Sequence, residues 1–567
     1  MMRKLKGEIS STENSKSSLL GKLSKKLLAK QRLPLLLILL VMVVSFGMLY
    51  SYGFGGANPA DRKIQLLWTN DTHGYFMPVY HAEFDEVDSY AATAATEGRI
   101  GGYAQIKTLV NKLKAKSKNV LFMDSGDTFD GSPVAQMTRG EAVIPVLNAM
   151  GYDAMTPGNR DFAYGKTDFL RVTGMINFPV ISMNLRDATT GNLVFPPYLI
   201  KQVGDVKVAV VGISGFASSG FVSGRNLVPA NSYQAFQLGP ELTDLVAQIR
   251  ATENPDLVIA ISHLGWMQDR KLASEQAGLD AILGAHTHHN IFTVDPVQDT
   301  TGKNVIVVQA GSHGKYLGKL ELTIKNKESG KVVALGKYEL IRVVSKDIVP
   351  DPTVQALAEA AYAPFSGYLD RVIGYTTTVI ERRGDVQSTM SNLLTDAWAS
   401  IYGVEVSRGF GIRYGSTHPP GTLTVGDVWN MVSPNIGNNG VYVGTITGAA
   451  IKSAVNDGLN REYGSDPYNW AGGDVTRYNG NVTYTYNVVA PDNAHIVDFK
   501  VGNDYLVQGG VNVPVNLAKA YTYASSASVG STTPQVAGTT AVDEIIGYIE
   551  AQGTVAPQLD DRTVRLD

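Results

Sequence analysis

Five short motifs constrain this chain more than any other feature, because four of them close a strand-length apolar run and the fifth fits between. They are Asp71-Thr72-His73, Gly126-Asp127, Gly158-Asn159-Arg160-Asp161, Ser262-His263 and Gly284-Ala285-His286-Thr287-His288. Ile64–Trp68 delivers the first, Val120–Met123 the second, Leu257–Ile261 the fourth and Leu279–Leu283 the fifth, each run rich in aliphatic and β-branched residues. Helical patterns at Tyr103–Lys114 and Ala142–Met150 intervene. Strand and helix in alternation predict an α/β fold whose ligands gather at the C-terminal ends of the strands.

Taken singly, an Asp-x-His after a strand is more often a turn or a cap, and His263 reads equally well as a core histidine. Taken together, four of the nine histidines (His73, His263, His286 and His288) fall at strand ends beside Asp71, Asp127 and Asn159. That set predicts a cage for two divalent metal ions. Carboxylate, amide and imidazole ligands suit manganese, iron, zinc, nickel or magnesium, and the histidines favour the transition metals. The chain has no cysteine, which excludes thiolate ligands, disulfides, thiol catalysis and a lipidated cysteine anchor. A carboxylate bridging two cations about 3.5–4 Å apart would generate a metal-bound hydroxide near neutral pH, and Asp127 is the expected bridge. His81, His289, His313, His418 and His495 take structural readings by default, with His313 in Gly311-Ser312-His313-Gly314 the leading exception.

The order Asp-x-His, Gly-Asp, Gly-Asn, His, Gly-x-His-x-His resembles the calcineurin-like metallophosphoesterases, and more narrowly their 5′-nucleotidase branch, from Lys63 to Asp567. The resemblance implies a four-layer α/β/β/α catalytic domain followed by an α/β 5′-nucleotidase-like C-terminal domain. It implies one metal on Asp71, His73, Asp127 and His288 and the other on Asp127, Asn159, His263 and His286. One departure stands out. Where those enzymes place a histidine after Gly-Asn, this chain has Arg160. An arginine stabilises a developing oxyanion but is no general acid near neutral pH. Asn159, Arg160 and Asp161 are the catalytic candidates.

Several stretches resemble instead the thiosulfohydrolases of bacterial sulfur oxidation, a subgroup of the same branch: Met77–Tyr80, Thr156–Gly165, Gly311–Gly318 and Asp466–Asp474. That resemblance implies release of sulfate from a carrier-protein cysteine S-thiosulfonate at a dinuclear manganese site. In the C-terminal half, Ser391–Asp396 resembles the entry helix of the nucleotidase domain, and Gly411-Ile412-Arg413 its anion-binding segment. Arg413 would clamp phosphate or sulfonate oxygens, with a surface salt bridge as the plainer reading. Tyr468, Trp470 and Tyr478 are candidates to stack a base, with ordinary packing as the alternative, and Asp474 completes the substrate-side set. The Tyr521–Gly530 stretch lacks the nucleotidase signature.

Length supports two folded domains plus an anchor. A net charge of −3 gives no electrostatic case for nucleic-acid binding. Leu33–Tyr50 is an apolar run of 18 residues preceded by Arg3, Lys4, Lys6, Lys16, Lys22, Lys25, Lys26, Lys30 and Arg32 against Glu8 and Glu13. The expectation is an uncleaved anchor with the enzyme periplasmic or otherwise outside the cytoplasm; a cleaved signal peptide is the alternative. The expected organisation is a basic tail (1–32), a transmembrane signal anchor (33–52), a linker (53–62), the catalytic domain (63–347), a linker helix (348–370) and the substrate-binding domain (371–567). The long loop Tyr80–Gly98 is the main insertion. Three functions compete at this stage: a hydrolase of a small anionic phosphoester, a hydrolase of a thiosulfonated carrier protein, and a non-catalytic metal-binding protein.

Overall fold

A computed structural model describes residues 61–82, 90–215, 221–223, 238–327, 330–381, 387–409, 415–432, 440–465, 476–525 and 538–567. The expected anchor at 33–52 lies outside them. Among the described residues no helix is long and apolar enough to cross a membrane.

The catalytic half contains β1 (Arg62–Thr69), α1 (Tyr103–Lys114), β2 (Val120–Asp124), α2 (Ile144–Met150), β3 (Ala154–Met155), β4 (Tyr198–Val203), β5 (Val206–Ile213), α3 (Leu238–Glu253), β6 (Leu257–Ser262), α4 (Trp266–Glu275), β7 (Ala281–Leu283), β8 (Val297–Gln298), β9 (Asn304–Val308), β10 (Tyr316–Lys327) and β11 (Gly330–Arg342). Two sheets form. One has the order β11-β10-β1-β2-β3 and the other β8-β9-β7-β6-β5-β4. β1, β2 and β3 run parallel, as do β5, β6, β7 and β9.

Strand periodicity sorts the side chains into layers. Ile64, Leu66 and Trp68 of β1 face Val208 and Val210 of β5 and Leu257, Ile259 and Ile261 of β6 in one apolar core between the sheets. Leu67 and Phe122, on the opposite face, join Tyr103, Ile106 and Val110 of α1 and Leu147 of α2. Ala209, Val211, Val258 and Ala260 pack outward on Leu242, Val246 and Ile249 of α3 and Leu272 of α4. Helix, sheet, sheet, helix is therefore the layering the burial pattern dictates. Each fully buried aliphatic side chain contributes about 1.5–3 kcal/mol.

Asp351 caps the next helix, α5 (Pro352–Leu369), accepting the Thr353 and Val354 N–H groups, with Pro352 in the first turn. Among the described residues the second half is built on three sheets of three, four and five strands, with helices Thr389–Tyr402, Gly448–Tyr463 and Ala541–Gln552 packed against them. The halves are tied together. Val354, Leu369, Trp398 and Ile545 share one continuous apolar cluster with Phe76, Tyr103 and Leu147. Tyr75 Oη donates to the Asn430 carbonyl (3.1 Å), and the Ala82 N–H donates to Thr417 Oγ1 (3.0 Å). Within the Tyr80–Gly98 segment, expected as a loop, Tyr90–Glu97 is a helix with Tyr90 and Ala94 buried.

Candidate metal centre

Both sheets aim their parallel strands at one place. Asp71 and His73 follow β1, Asp127 follows β2, and Asn159 follows β3; His263 follows β6, while His286 and His288 follow β7. Backbone bonds carry the strand pairing into these loops: the Asp71 N–H donates to the Gly126 carbonyl (2.9 Å) and the His73 N–H to the Asp127 carbonyl (2.7 Å). Asn70 bridges the sheets, its side chain donating to the Gly311 carbonyl and accepting the Ala310 N–H.

Asp71, His73, Asp127, His263 and His288 are all buried. His288 Nε2 lies 3.1 Å from His73 Nε2 and 3.2 Å from Asp71 Oδ1. His263 Nε2 lies 3.1 Å from Asp127 Oδ2, and Asn159 Oδ1 lies 2.8 Å from His286 Nδ1. Three sets each bring their ligand atoms within 4.8 Å of one another: Asp71, His73 and Asp127; Asp127, His263 and His286; and His73, His288 and His313. Asp127 and His73 each belong to two of them, so the sets adjoin.

Tautomers are fixed by main-chain acceptors. His73 Nδ1 faces the Asp130 carbonyl at 2.8 Å and His263 Nδ1 the Ser125 carbonyl at 2.7 Å. A carbonyl only accepts, so each Nδ1 carries a proton and each Nε2 is the atom turned into the cage, able to ligate once it is unprotonated. Asp127 Oδ2 and His263 Nε2 are buried without a geometrically sound hydrogen bond. Donor atoms crowded together in this way fit divalent cations better than they fit one another.

The backbone bears strain here. Asp71, His73, Asp127, His286 and His288 all have φ between +49° and +74°, a region that costs a non-glycine residue about 1–3 kcal/mol. Gly158 closes the floor: a Cβ there would sit 2.2 Å from Asp127 Oδ1 and 2.6 Å from His263 Cε1.

The remaining catalytic candidates take distinct places. Arg160 donates its N–H to Asp127 Oδ1 (2.7 Å), and its Nε and Nη2 both lie on Asp130 Oδ2 (2.8 and 2.5 Å). Tyr164 Oη donates to the other Asp130 oxygen. Asp161 accepts four backbone N–H groups, from Asp127, Thr128, Phe129 and Gly158. Its carboxylate thus organises the loop carrying Asp127 rather than facing the cage. Burial and the Asp127 charge push it up to about 7.

Arg413, Tyr468, Trp470 and Asp474 lie outside the described residues. Tyr478, weighed as a base-stacking residue, is 2 % exposed and belongs to the core of the second half, so its ring has no open face for a base. Sequence reasoning missed Asp130, which supports His73 with its carbonyl and Arg160 with its carboxylate; its only signal was its place three residues after Asp127. It also missed β9, the strand leading to His313.

Residues 64–290 match the calcineurin-like phosphoesterase family and residues 372–531 the 5'-nucleotidase C-terminal domain. The chain is similar to the 5'-nucleotidase of Bos taurus, 30% identical over 369 residues, covering 60% of each chain. It spans about three fifths of the length of the curated relatives it matches. Its fold is similar to a sulfate thiohydrolase SoxB from Thermus thermophilus (TM-score 0.76, 24% identity, 88% of this chain and 96% of that one). It is also similar to a 5'-nucleotidase precursor from the same organism (TM-score 0.72, 24% identity, 89% and 100%).

Proposed function

We propose that this chain, whose residues 64–290 match the calcineurin-like phosphoesterase family and 372–531 the 5'-nucleotidase C-terminal domain, is a dinuclear-metal-dependent hydrolase of anionic esters working outside the cytoplasm. The observation that carries this reading is the convergence of Asp71, His73, Asp127, His263, His286 and His288, with His73 and His263 preset by carbonyls. One cation would rest on Asp71, His73, Asp127 and His288, the other on Asp127, Asn159, His263 and His286. Two divalent cations, manganese in our reading, supply Lewis-acid polarisation of the substrate and a water activated near neutral pH.

The protein's own groups do the rest. Asn159 offers its amide beside the cage, and Arg160, braced by Asp130, sets a fixed positive charge at its edge to steady developing negative charge. Arg413 would hold the far side of the substrate. A phosphoester with an alkoxide leaving group needs a proton, and Arg160 does not release one.

That last point favours a second reading. In a cysteine S-thiosulfonate, water adds to the terminal sulfonate sulfur and the S–S bond breaks; sulfate departs with the water oxygen and the carrier keeps a persulfide. A persulfide is a weaker base than an alkoxide, so loss of a general acid costs that reaction less.

The deciding experiment assays the manganese-loaded protein for phosphate from AMP and for sulfate from a cysteine S-thiosulfonate peptide. Phosphate release supports the nucleotidase reading, and Arg160→His should then raise the rate. Sulfate alone selects the second reading. Neither product, together with fewer than two bound ions, overturns both.

A further inference from the structure

Resting on the dinuclear reading above, we infer that His313 is an additional protein ligand to the cation held by Asp71, His73 and His288. No residue of the motif set predicts this, because His313 arrives from a different strand, β9, through Gly311-Ser312.

Four independent features place it there. His313 is 1 % exposed. One of its ring nitrogens falls within 4.8 Å of ligand atoms of both His73 and His288. The His313 ring stands at 62° to His73 and 81° to His288, with centroids 5.7 and 5.9 Å away, so the rings meet edge to face and do not stack. Its N–H donates to the Asp71 carbonyl at 2.8 Å, locking the His313 loop to the loop that carries two ligands of the same cation.

The backbone gives the fifth. Nine non-glycine residues among those described have positive φ; Asp71, His73, Asp127, His286 and His288 are five, and His313 at +54° is a sixth. A histidine that merely filled space between Tyr75 (4.5 Å) and His81 (5.0 Å) would gain that packing from an unstrained loop as well. Strain of this kind persists where the surroundings over-determine a functional geometry. Tyr75 and His81 are then the wedge that holds the ring against the cage.

The consequence is chemical asymmetry. The His313 side of the cage offers three imidazoles with Asp71 and the bridging Asp127; the other side offers His263, His286 and Asn159. A more nitrogen-rich set discriminates more strongly for transition cations over magnesium and calcium.

The test counts coordinated imidazoles. The full chain, labelled with ¹⁵N-histidine and loaded with Co²⁺, is studied by paramagnetic NMR, where rings bound directly show contact-shifted resonances. Wild type is expected to show rings from His73, His263, His286, His288 and His313. His313→Gln should lose one ring and weaken one of the two ions about 10- to 100-fold in a chelator competition, the scale on which changes around metal sites act. His81→Gln, which disturbs only the wedge, should keep every coordinated ring. A wild-type spectrum without the His313 ring, or an unchanged ring count in His313→Gln, overturns the inference and leaves the dinuclear reading intact. Failure of the wild type to bind two Co²⁺ ions instead overturns the dinuclear reading. The wild-type count decides even if the variant fails to fold.

Discussion

His263 Nε2 lies 3.1 Å from Asp127 Oδ2, and both side chains are closed to solvent. Burial alone would discharge the imidazole, but Asp127 and Asp71 outweigh it and raise His263 to about 10. Burial alone would likewise raise Asp127, yet His263, His73 and His286 hold it well below the usual carboxylate range. In the metal-free protein the raised histidine stabilises the fold fully below its unfolded value of about 6.5 and ceases to do so as pH climbs through its folded value. The depressed aspartate contributes above about 4 and is lost at lower pH. The melting temperature of metal-free protein should therefore fall between about pH 6.5 and 10 while metal affinity rises, since ligation needs the unprotonated imidazole. Calorimetry and metal titration across that window check both slopes; a flat pair of curves would refute the coupling.

Asp161→Asn places an amide NH₂ against backbone N–H groups that now donate to a carboxylate oxygen. At least one buried donor is left without an acceptor, a loss of about 1–3 kcal/mol. Urea unfolding should show an earlier midpoint, and metal binding should weaken with it because the Asp127 loop loosens.

Gly158→Ala should act more locally. The new methyl would meet Asp127 Oδ1 at 2.2 Å and the Asp127 amide nitrogen at 2.4 Å, so the Asp127 carboxylate must move. We expect a folded protein by circular dichroism whose affinity for at least one ion falls about tenfold or more. Retention of two ions at wild-type affinity would contradict the placement.

Thr417 joins the two halves, its hydroxyl accepting the Ala82 N–H and donating to Glu381. Thr417→Val removes both bonds in a buried setting and should cost about 1–3 kcal/mol. Thr417→Ser keeps the hydroxyl and should melt close to wild type. Equal melting of the two variants would show that the hydroxyl does not carry the contact.

The catalytic half was legible in the sequence because strand period and motif coincide. The runs before Asp71, Asp127, His263 and His286 are strands within a residue or two of their expected limits, and Tyr103–Lys114 is a helix over the expected span. β9 escaped because Asn304–Val308 ends in a loop whose one chemical residue, His313, sits alone. The paired role of Asp130 was invisible because its carbonyl, which any residue supplies, is half of what it does. Asp161 was read by neighbourhood to Asn159, whereas its four N–H partners come mostly from a loop more than thirty residues earlier. Tyr478 illustrates the converse: an aromatic in polar sequence became core because its strand pairs with Arg408 and Gly409 across a sheet.

The apolar cluster that runs unbroken from Phe76 and Tyr103 through Val354 and Leu369 to Trp398 and Ile545 gives the two halves one shared core, so they should melt as a single unit. A protease cut between Val343 and Pro352 would not liberate two soluble fragments; each would carry a greasy scar where the other had been. Shuffling this catalytic half onto a different partner would require that partner to bring its own matching apolar face.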